Sequence, residues 1–405
     1  MATIRRYYER PAIAELDSVV TGVSERADGA SVVTLSETIF YPEGGGQPCD
    51  LGDLAGLPLE AALEEGDEVA HILRADPVAL AAAGVCPGAT VRSVVDLGRR
   101  IDHSEQHTAQ HLLSSILLRA MGARTLSFHL GERHSFIDLN IAPFGRDDAD
   151  AIEDEVTRAA LDDYGVTTHL CPPEDPASFP LRKEPSVEAA VLRVIEIDGI
   201  EYSACCGTHV ASTRSLEPFR ILRAEKYKGG CRVYFVAGGR ARADYRRVAG
   251  IAVRAAAAAG CADDELEAAV RSSRERQKEL ERSLAVALDE VAAARAEALD
   301  GSGDRSGDDS PAEPVFAVAA SYDAGNRLAR ALARRGRVAV VDCGDELKVV
   351  ACSPTGGPAV DAAYSQAAMA AGGKGGGGKA YFQAAFPDRA SLEAFVAAAR
   401  AAVVS

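Results

Sequence analysis

The chain has 405 residues, enough for two to four domains of ordinary size. Its 60 Asp and Glu outnumber its 44 Lys and Arg, giving a formal net charge of −16, and 47% of its residues are hydrophobic. That balance excludes a nucleic-acid binder working through a bulk positive field, so any RNA contact must use local basic patches. No apolar run approaches the roughly 18 residues of a membrane span.

The opening stretch MATIRRYYERP has no apolar core and reads as neither signal nor anchor, so a cytoplasmic location with no membrane partner is expected. Scarce lysine, abundant Ala and Gly, no Trp and the acidic surplus fit a salt-loving cell; an acidic protein from a GC-rich genome fits them too. Nine cysteines, an odd number in a long chain, are expected as free thiols.

In chain order, residues 1–90 read as a β-rich, barrel-like domain, with short strands such as Ser31–Leu35 and Thr38–Tyr41 between Gly, Pro and Asp turns. A strong helix follows. Asp102 and Glu105 have capping-box spacing, Ala109, Leu112, Leu113, Ile116 and Leu117 recur with helical period, and Gly122 marks the end. A second helix is expected around Asp150–Tyr164. A hairpin of Val191–Ile197 and Ile200–Ala204 is expected about Asp198-Gly199. Residues 91–250 therefore read as an α+β domain.

Residues 255–299 read as a long helical, coiled-coil segment. Leu266, Val270, Leu280, Leu284, Ala287, Val291, Ala294 and Ala298 lie on a four-three seam broken by Ser273 and Gln277. A polar linker, 300–314, leads to a small α/β domain over 315–405. That domain should hold strands at Val315–Ala319, Arg337–Val341 and Leu347–Cys352, a helix near Ala324–Arg335, a glycine run and a final helix. The fold class is thus α+β with a barrel-like start, a helical segment and a C-terminal α/β domain.

Two pairs of side chains carry metal chemistry. His107 and His111 lie four apart on the first helix, so both imidazoles leave one face. HTAQH lacks the glutamate of a metalloprotease HExxH, so that class is rejected. Cys205 and His209 follow a strand, and Gly207 permits a tight turn between them. Three imidazoles and one thiolate make a plausible zinc shell; ordinary polar helix surface is the competing reading of the histidine pair.

The run Phe40-Tyr41-Pro42-Glu43-Gly44-Gly45-Gly46-Gln47-Pro48, with Asp50 and Gly52, resembles the glycine-rich signature of alanyl-tRNA synthetase editing domains. HTAQHLL and the Cys205-to-His209 element resemble the two zinc motifs of the same domains. The set also resembles free-standing alanyl-tRNA editing proteins of the AlaX type, long form. Gly372-Gly373-Lys374-Gly375-Gly376-Gly377-Gly378 with Gln383 and Ala384 resembles the glycine-rich C-terminal domain of alanyl-tRNA synthetase.

The resemblance implies a hydrolase, acting in trans, that removes serine or glycine from mischarged tRNA(Ala), with one Zn2+ per chain held by His107, His111, Cys205 and His209. The chain starts at the editing region, which adds to the expectation of editing in trans. A small pocket cannot strongly exclude glycine or one added hydroxyl, which is why such a second sieve is useful. Gly44, Gly45, Gly46 and Gln47 are expected near the terminal adenosine and aminoacyl group, and Ser127, Thr125 and Thr208 could meet a serine hydroxyl. His129 and His134 are read as ordinary polar residues or pocket lining, not ligands. Cys206 stands where the family usually has glycine; Cys205 keeps the spacing to His209 and is the expected ligand. Lys226, Lys228, Arg232, Lys374 and Lys379 are expected RNA contacts, with solvated turns as the alternative. The glycine run is either a close-approach surface for RNA or a flexible loop. DNA is not an expected partner. A homodimer would form through the helical segment or the C-terminal domain. A non-catalytic tRNA-binding protein with a structural zinc is the alternative function.

Overall fold

The structure, a computed structural model, describes residues 2–171, 179–182, 192–301 and 313–404. It forms two compact units, Met1–Val253 and Arg254–Ser405, each with its own core. Among the described residues no helix is long and apolar enough to cross a membrane.

The first unit opens with β1 (Ile4–Arg5), β2 (Glu15–Glu25), β3 (Ser31–Leu35), β4 (Glu37–Thr38), β5 (Gly52–Leu54), β6 (Leu57–Glu65), β7 (Glu68–Leu73), a short helix α1 (Pro77–Ala82) and β8 (Thr90–Val95). Six strands close into an antiparallel barrel in the order β2-β3-β7-β6-β5-β8. Alternation along each strand sends one set of side chains inward, so Val33, Leu35, Leu54, Leu59, Val69 and Leu73 fill the barrel. The expected strand Thr38–Tyr41 is corrected: pairing stops at Thr38. Beyond it, side chains replace the ladder. Thr38 Oγ1 accepts from Phe40 N at 3.1 Å, and Asp50 Oδ2 accepts from Tyr41 N at 2.6 Å.

Next come α2 (Leu97–Met121), β9 (Thr125–Leu130), β10 (Ser135–Leu139), α3 (Arg146–Leu161), β11 (Val166–Cys171), β12 (Leu192–Ile197), β13 (Glu201–Ala204), β14 (Phe219–Tyr227) and β15 (Gly230–Ala237). They form a four-stranded sheet, β14-β15-β10-β9, and a three-stranded one, β11-β12-β13. Leu112, Leu113, Ile116 and Leu117 of α2 and Ile152 and Val156 of α3 pack against Ile137, Val233 and Phe235 on one face of the larger sheet. Burying each such side chain contributes about 1.5–3 kcal/mol.

The expected start of α2 is corrected. Asp96, not Asp102, is the N-cap, and its carboxylate accepts from Arg99 N at 3.0 Å. Asp102 instead takes both arms of Arg240 at 2.7 Å, and Glu105 accepts from Gly239 N at 2.8 Å. Gly122 ends the helix at φ +65°. The middle of α2 buries Arg100, Ser104, Gln106, His107, Thr108 and His111, so its polar side is as enclosed as its apolar one. Such burial demands partners. Gln106, for example, donates to Ala237 O at 3.0 Å and accepts from Ala237 N at 2.9 Å.

The division between units falls within α4 (Gly238–Ala259). The long helix α5 (Leu266–Gly301) has 36 residues. Leu280, Leu284 and Val291 on its seam are exposed, whereas Ala292 and Ala296 near its end are buried with Leu328 and Leu332. The linker read over 300–314 has its residues 302–312 outside the described residues, and the start of the expected strand at Val191 also lies outside them. Then follow β16 (Val315–Val318), α6 (Tyr322–Arg334), β17 (Ala339–Asp342), β18 (Lys348–Cys352), α7 (Val360–Ala370), β19 (Lys374–Gly378), β20 (Tyr381–Ala385) and α8 (Arg389–Val404). The sheet order is β16-β17-β18-β20-β19, with β16 and β17 parallel and the other pairs antiparallel. The glycine run is therefore an edge strand, not a loop. A Cβ at Gly375 or Gly377 would stand 2.1 or 2.0 Å from the carbonyl oxygens of Gln383 and Tyr381, so only glycine lets the two backbones approach.

Candidate metal centre

Two segments far apart in sequence meet in the first unit. α2 presents His107 and His111 one turn apart, and the bend after β13 presents Cys205 and His209. One ligand atom from each lies within 4.8 Å of all the others. Cys205 Sγ is 3.4 Å from His107 Nε2 and 3.4 Å from His209 Nε2. Cys206 is exposed and is not part of the cluster.

The surroundings fix which ring nitrogens face the centre. Thr208 N donates to Gln47 Oε1 at 3.1 Å, which orients that amide with its oxygen inward. The same oxygen accepts from His107 Nδ1 at 2.8 Å, so the proton sits on Nδ1 and the Nε2 lone pair is free. Thr108 Oγ1 lies 3.0 Å from His209 Nδ1, which likewise turns Nε2 toward the sulfur. Glu201, paired to Arg182 at 2.7 Å, stands 3.7 Å from His111 Nδ1. Arg193 holds the bend itself, donating to the carbonyls of Cys205 at 2.8 Å and Gly207 at 2.7 Å.

Electrostatics agree with a cation site. Burial pushes the Cys205 thiol up, but the imidazoles of His107 and His209 outweigh it and leave it well below the ordinary thiol range. Burial drives His209 down to about 3. His111 resists its own burial through Cys205 and Glu201 and rises to about 9. A thiolate among three imidazoles, those of His107 and His209 with their outer nitrogens engaged and that of His111 beside the Glu201 carboxylate, suits one metal ion.

Gly207 is needed for space. Its φ is not in the left-handed region, but a Cβ there would lie 2.2 Å from His107 Cε1. The tight-turn reading is therefore corrected. Positive φ is required instead at Gly45 (+55°) and Gly46 (+83°), the central pair of a two-residue turn closed by Gly44 N to Gln47 O (3.2 Å) and Gln47 N to Gly44 O (2.9 Å). This turn reaches the sheet, where Leu130 N donates to Gly46 O at 3.2 Å. Behind it, Asp50 is paired with Arg100 of α2, both fully buried.

The remaining sequence-selected residues divide. Thr208 is buried, and its hydroxyl accepts from Gln47 Nε2 at 2.9 Å and Ser104 Oγ at 2.8 Å. Ser127 is not brought to the centre. Phe128 faces inward, 5.5 Å from the His107 ring, so strand alternation sends Ser127 outward, where it donates to Asp138 at 2.6 Å. Thr125 donates to Ser114 at 2.7 Å. Arg232 is paired with Asp138 at 2.6 Å and flanked by Phe136 and Tyr227, so its charge is already compensated. Lys226 and Lys228 are exposed at the end of the β14–β15 hairpin. Lys374 and Lys379 are exposed at β19, in the second unit. Gln47, selected for substrate contact, is bonded to His107 of the cluster. Glu201, Arg193 and Thr108 carried no local signal at all.

A family model described as the threonyl and alanyl tRNA synthetase second additional domain matches residues 192–234, the stretch from β12 into β15 that carries Cys205 and His209. The alanyl-tRNA editing protein Aarsd1 of Danio rerio is 34% identical over 230 residues, 56% of this chain and 54% of that protein. AlaX-L, an alanyl-tRNA editing protein of Pyrococcus horikoshii, is 32% identical over 246 residues, 58% of each chain. This chain is homologous to alanyl-tRNA editing proteins over that shared stretch. An alanine–tRNA ligase from Methanothrix thermoacetophila is also 32% identical, over 248 residues, 58% of this chain and 26% of the ligase. The chain spans about half the length of the editing proteins it matches.

Proposed function

We propose that this chain is a zinc-containing aminoacyl-tRNA hydrolase, acting in trans and in the cytoplasm, that clears serine, and in a second place glycine, from mischarged tRNA(Ala). The observation that carries the reading is the convergence of His107, His111, Cys205 and His209, with Gln47 of the glycine-rich turn bonded directly to His107. Three imidazoles and a thiolate are a zinc donor set. When bound, zinc would polarise the ester carbonyl or activate water. The chain's own residues do the rest. Gln47 holds the His107 tautomer, Thr108 orients the His209 ring, and the exposed Gly45-Gly46 tip leaves room for close backbone approach by the terminal adenosine. A modest catalyst suffices, because an aminoacyl ester is already activated.

Four protein ligands complete a tetrahedron, which favours a second reading in which the ion is structural and the chain only binds tRNA. Deacylation of Ser-tRNA(Ala), with Ala-tRNA(Ala) as control, at high potassium chloride and with or without chelator, separates the two. Hydrolysis of the seryl ester that chelator abolishes is expected. Metal-loaded, folded protein that leaves Ser-tRNA(Ala) intact would establish the second reading instead. The exposed seam of α5 is the face through which a homodimer would form.

A further inference from the structure

We infer that RNA docks on the face of the β14-β15-β10-β9 sheet opposite α2 and α3, continued onto the first turns of α4. There Arg242 and Arg246 hold backbone phosphates, and Arg223 offers a plane to a nucleobase. The inference rests on tRNA being the partner and adds where on the chain it lies.

The strand register separates the two faces. Phe219, Ile221, Val233 and Phe235 turn toward the helices, so Arg220, Arg223, Arg232 and Tyr234 turn the other way. The Arg223 guanidinium lies 3.6 Å above the Tyr234 ring. Tyr234 is only 8% exposed beneath it, while the Arg223 side chain is 52% exposed. One side of the guanidinium plane therefore rests on a ring and the other faces solvent. That is the geometry on which an unpaired base stacks. Tyr234 is itself anchored, donating to Glu225 at 2.8 Å. Arg232, sandwiched and ion-paired, stiffens the neighbouring part of the face.

Along the same face Arg220 enters a shallow cleft of about 230 Å3, shared with Pro218, Ala241, Arg242, Tyr245 and Arg246. Arg220 and Arg247 share the one carboxylate of Asp244. Arg242 donates to the neutral carbonyl of Glu217 at 3.0 Å. Arg246 makes no ion pair among the described residues, and Arg242 has the Glu105 carboxylate in its neighbourhood but forms no ion pair with it. Tyr245 stands beside them with its ring in solvent. In a chain of net charge −16, adjacent guanidiniums free of ion pairs on an open cleft are an exception to the prevailing sign. An isolated anion would use the cations alone. A strand of RNA uses cations and stacking planes together.

The test measures binding of uncharged tRNA(Ala) to the full, metal-loaded chain across a potassium chloride series, so it does not depend on deacylation. For Arg242→Glu/Arg246→Glu, Kd should rise about tenfold at low salt, and the slope of log Kd against log salt should fall by about 0.7–0.9 for each lost cation. Arg223→Lys keeps the charge but loses the plane; it should weaken binding with the slope unchanged. A matched reversal on the barrel, Arg74→Glu/Arg92→Glu, involves two guanidiniums that are also largely exposed and should leave both quantities alone. Wild-type affinity and slope in the cleft variant, or an equal loss in the barrel variant, overturns the docking surface and leaves the editing reading standing. A wild-type chain that binds no tRNA at any salt overturns both.

Discussion

Gln47 Oε1 stands 2.8 Å from His107 Nδ1, joining the tip of a barrel loop to an imidazole of the helix that follows the barrel. The glycine-rich turn and the His/Cys cluster are thus one hydrogen-bonded unit. Replacing Gln47 by Leu removes the acceptor that fixes the His107 tautomer. Metal affinity should fall about 10–100-fold, measured by competition with a chromogenic chelator, while thermal unfolding of the apoprotein shifts little. Unchanged affinity would mean that His107 is oriented by packing alone.

The two adjacent cysteines should behave differently. Cys205→Ser ought to lose stoichiometric metal and Cys206→Ser to keep it, because only Cys205 is directed at the imidazoles. Metal analysis of the two purified variants checks this, and retention by Cys205→Ser with loss by Cys206→Ser would reverse the ligand assignment. Gly207→Ala is the companion experiment. A methyl group 2.2 Å from His107 Cε1 must displace that ring, so metal should be lost from a protein that still folds.

Acid sensitivity should originate partly in the barrel. His71 is buried, with Nε2 at 2.7 Å from Thr38 Oγ1 and Nδ1 at 2.9 Å from Val33 O, and burial pushes its imidazole from 6.5 down to about 4. The unfolded chain takes up that proton near pH 6.5 and the folded chain only near 4. The contribution is therefore complete above about 6.5 and is lost as pH falls toward 4, where it levels off. The difference is about 3 kcal/mol. Urea unfolding at a series of pH values should show a shallower decline over that window for His71→Gln than for wild type. Parallel declines would assign the effect to other histidines.

Breaking the buried pair behind the glycine-rich turn should be costly. Arg100 is nearly inaccessible and grips Asp50 through Nε at 2.9 and 3.0 Å while also donating to Pro11 O at 2.7 Å and Ile39 O at 2.6 Å. Arg100→Met strands a buried carboxylate, for an expected loss of about 3–5 kcal/mol in denaturant unfolding. Arg100→Met/Asp50→Asn should recover part of that loss. A double variant no better than the single one would place the cost in lost packing.

Local chemistry made some of this molecule legible. The four-residue spacing of His107 and His111 and the Gly122 helix stop are short-range features, and they appear where periodicity and turn propensity put them. The hairpin at Asp198-Gly199 also forms, but its connection is three residues, 198–200, with Ile197 paired to Glu201, rather than the two-residue turn. Misreadings came where a residue serves a distant partner. Asp102 and Glu105 look like a capping box but bond to Arg240 and Gly239, more than 130 residues away. Ser127 donates to Asp138 across the β9–β10 pair, a contact that the local pattern does not announce.

By itself the amino-acid order determined the donor types, their spacing on the helix and the bend, and the glycines where backbones must turn or touch. Only the tertiary structure decided that the two pairs share one centre, that Gln47 and Thr108 orient their rings, and that arginine–aromatic stacks gather on one face of a sheet. The reason is physical. Spacing along a helix or across a turn follows from bonded geometry within a few residues. The meeting of residues 47, 107 and 209 depends instead on how the barrel, the helix and the strands pack, which no local pattern encodes.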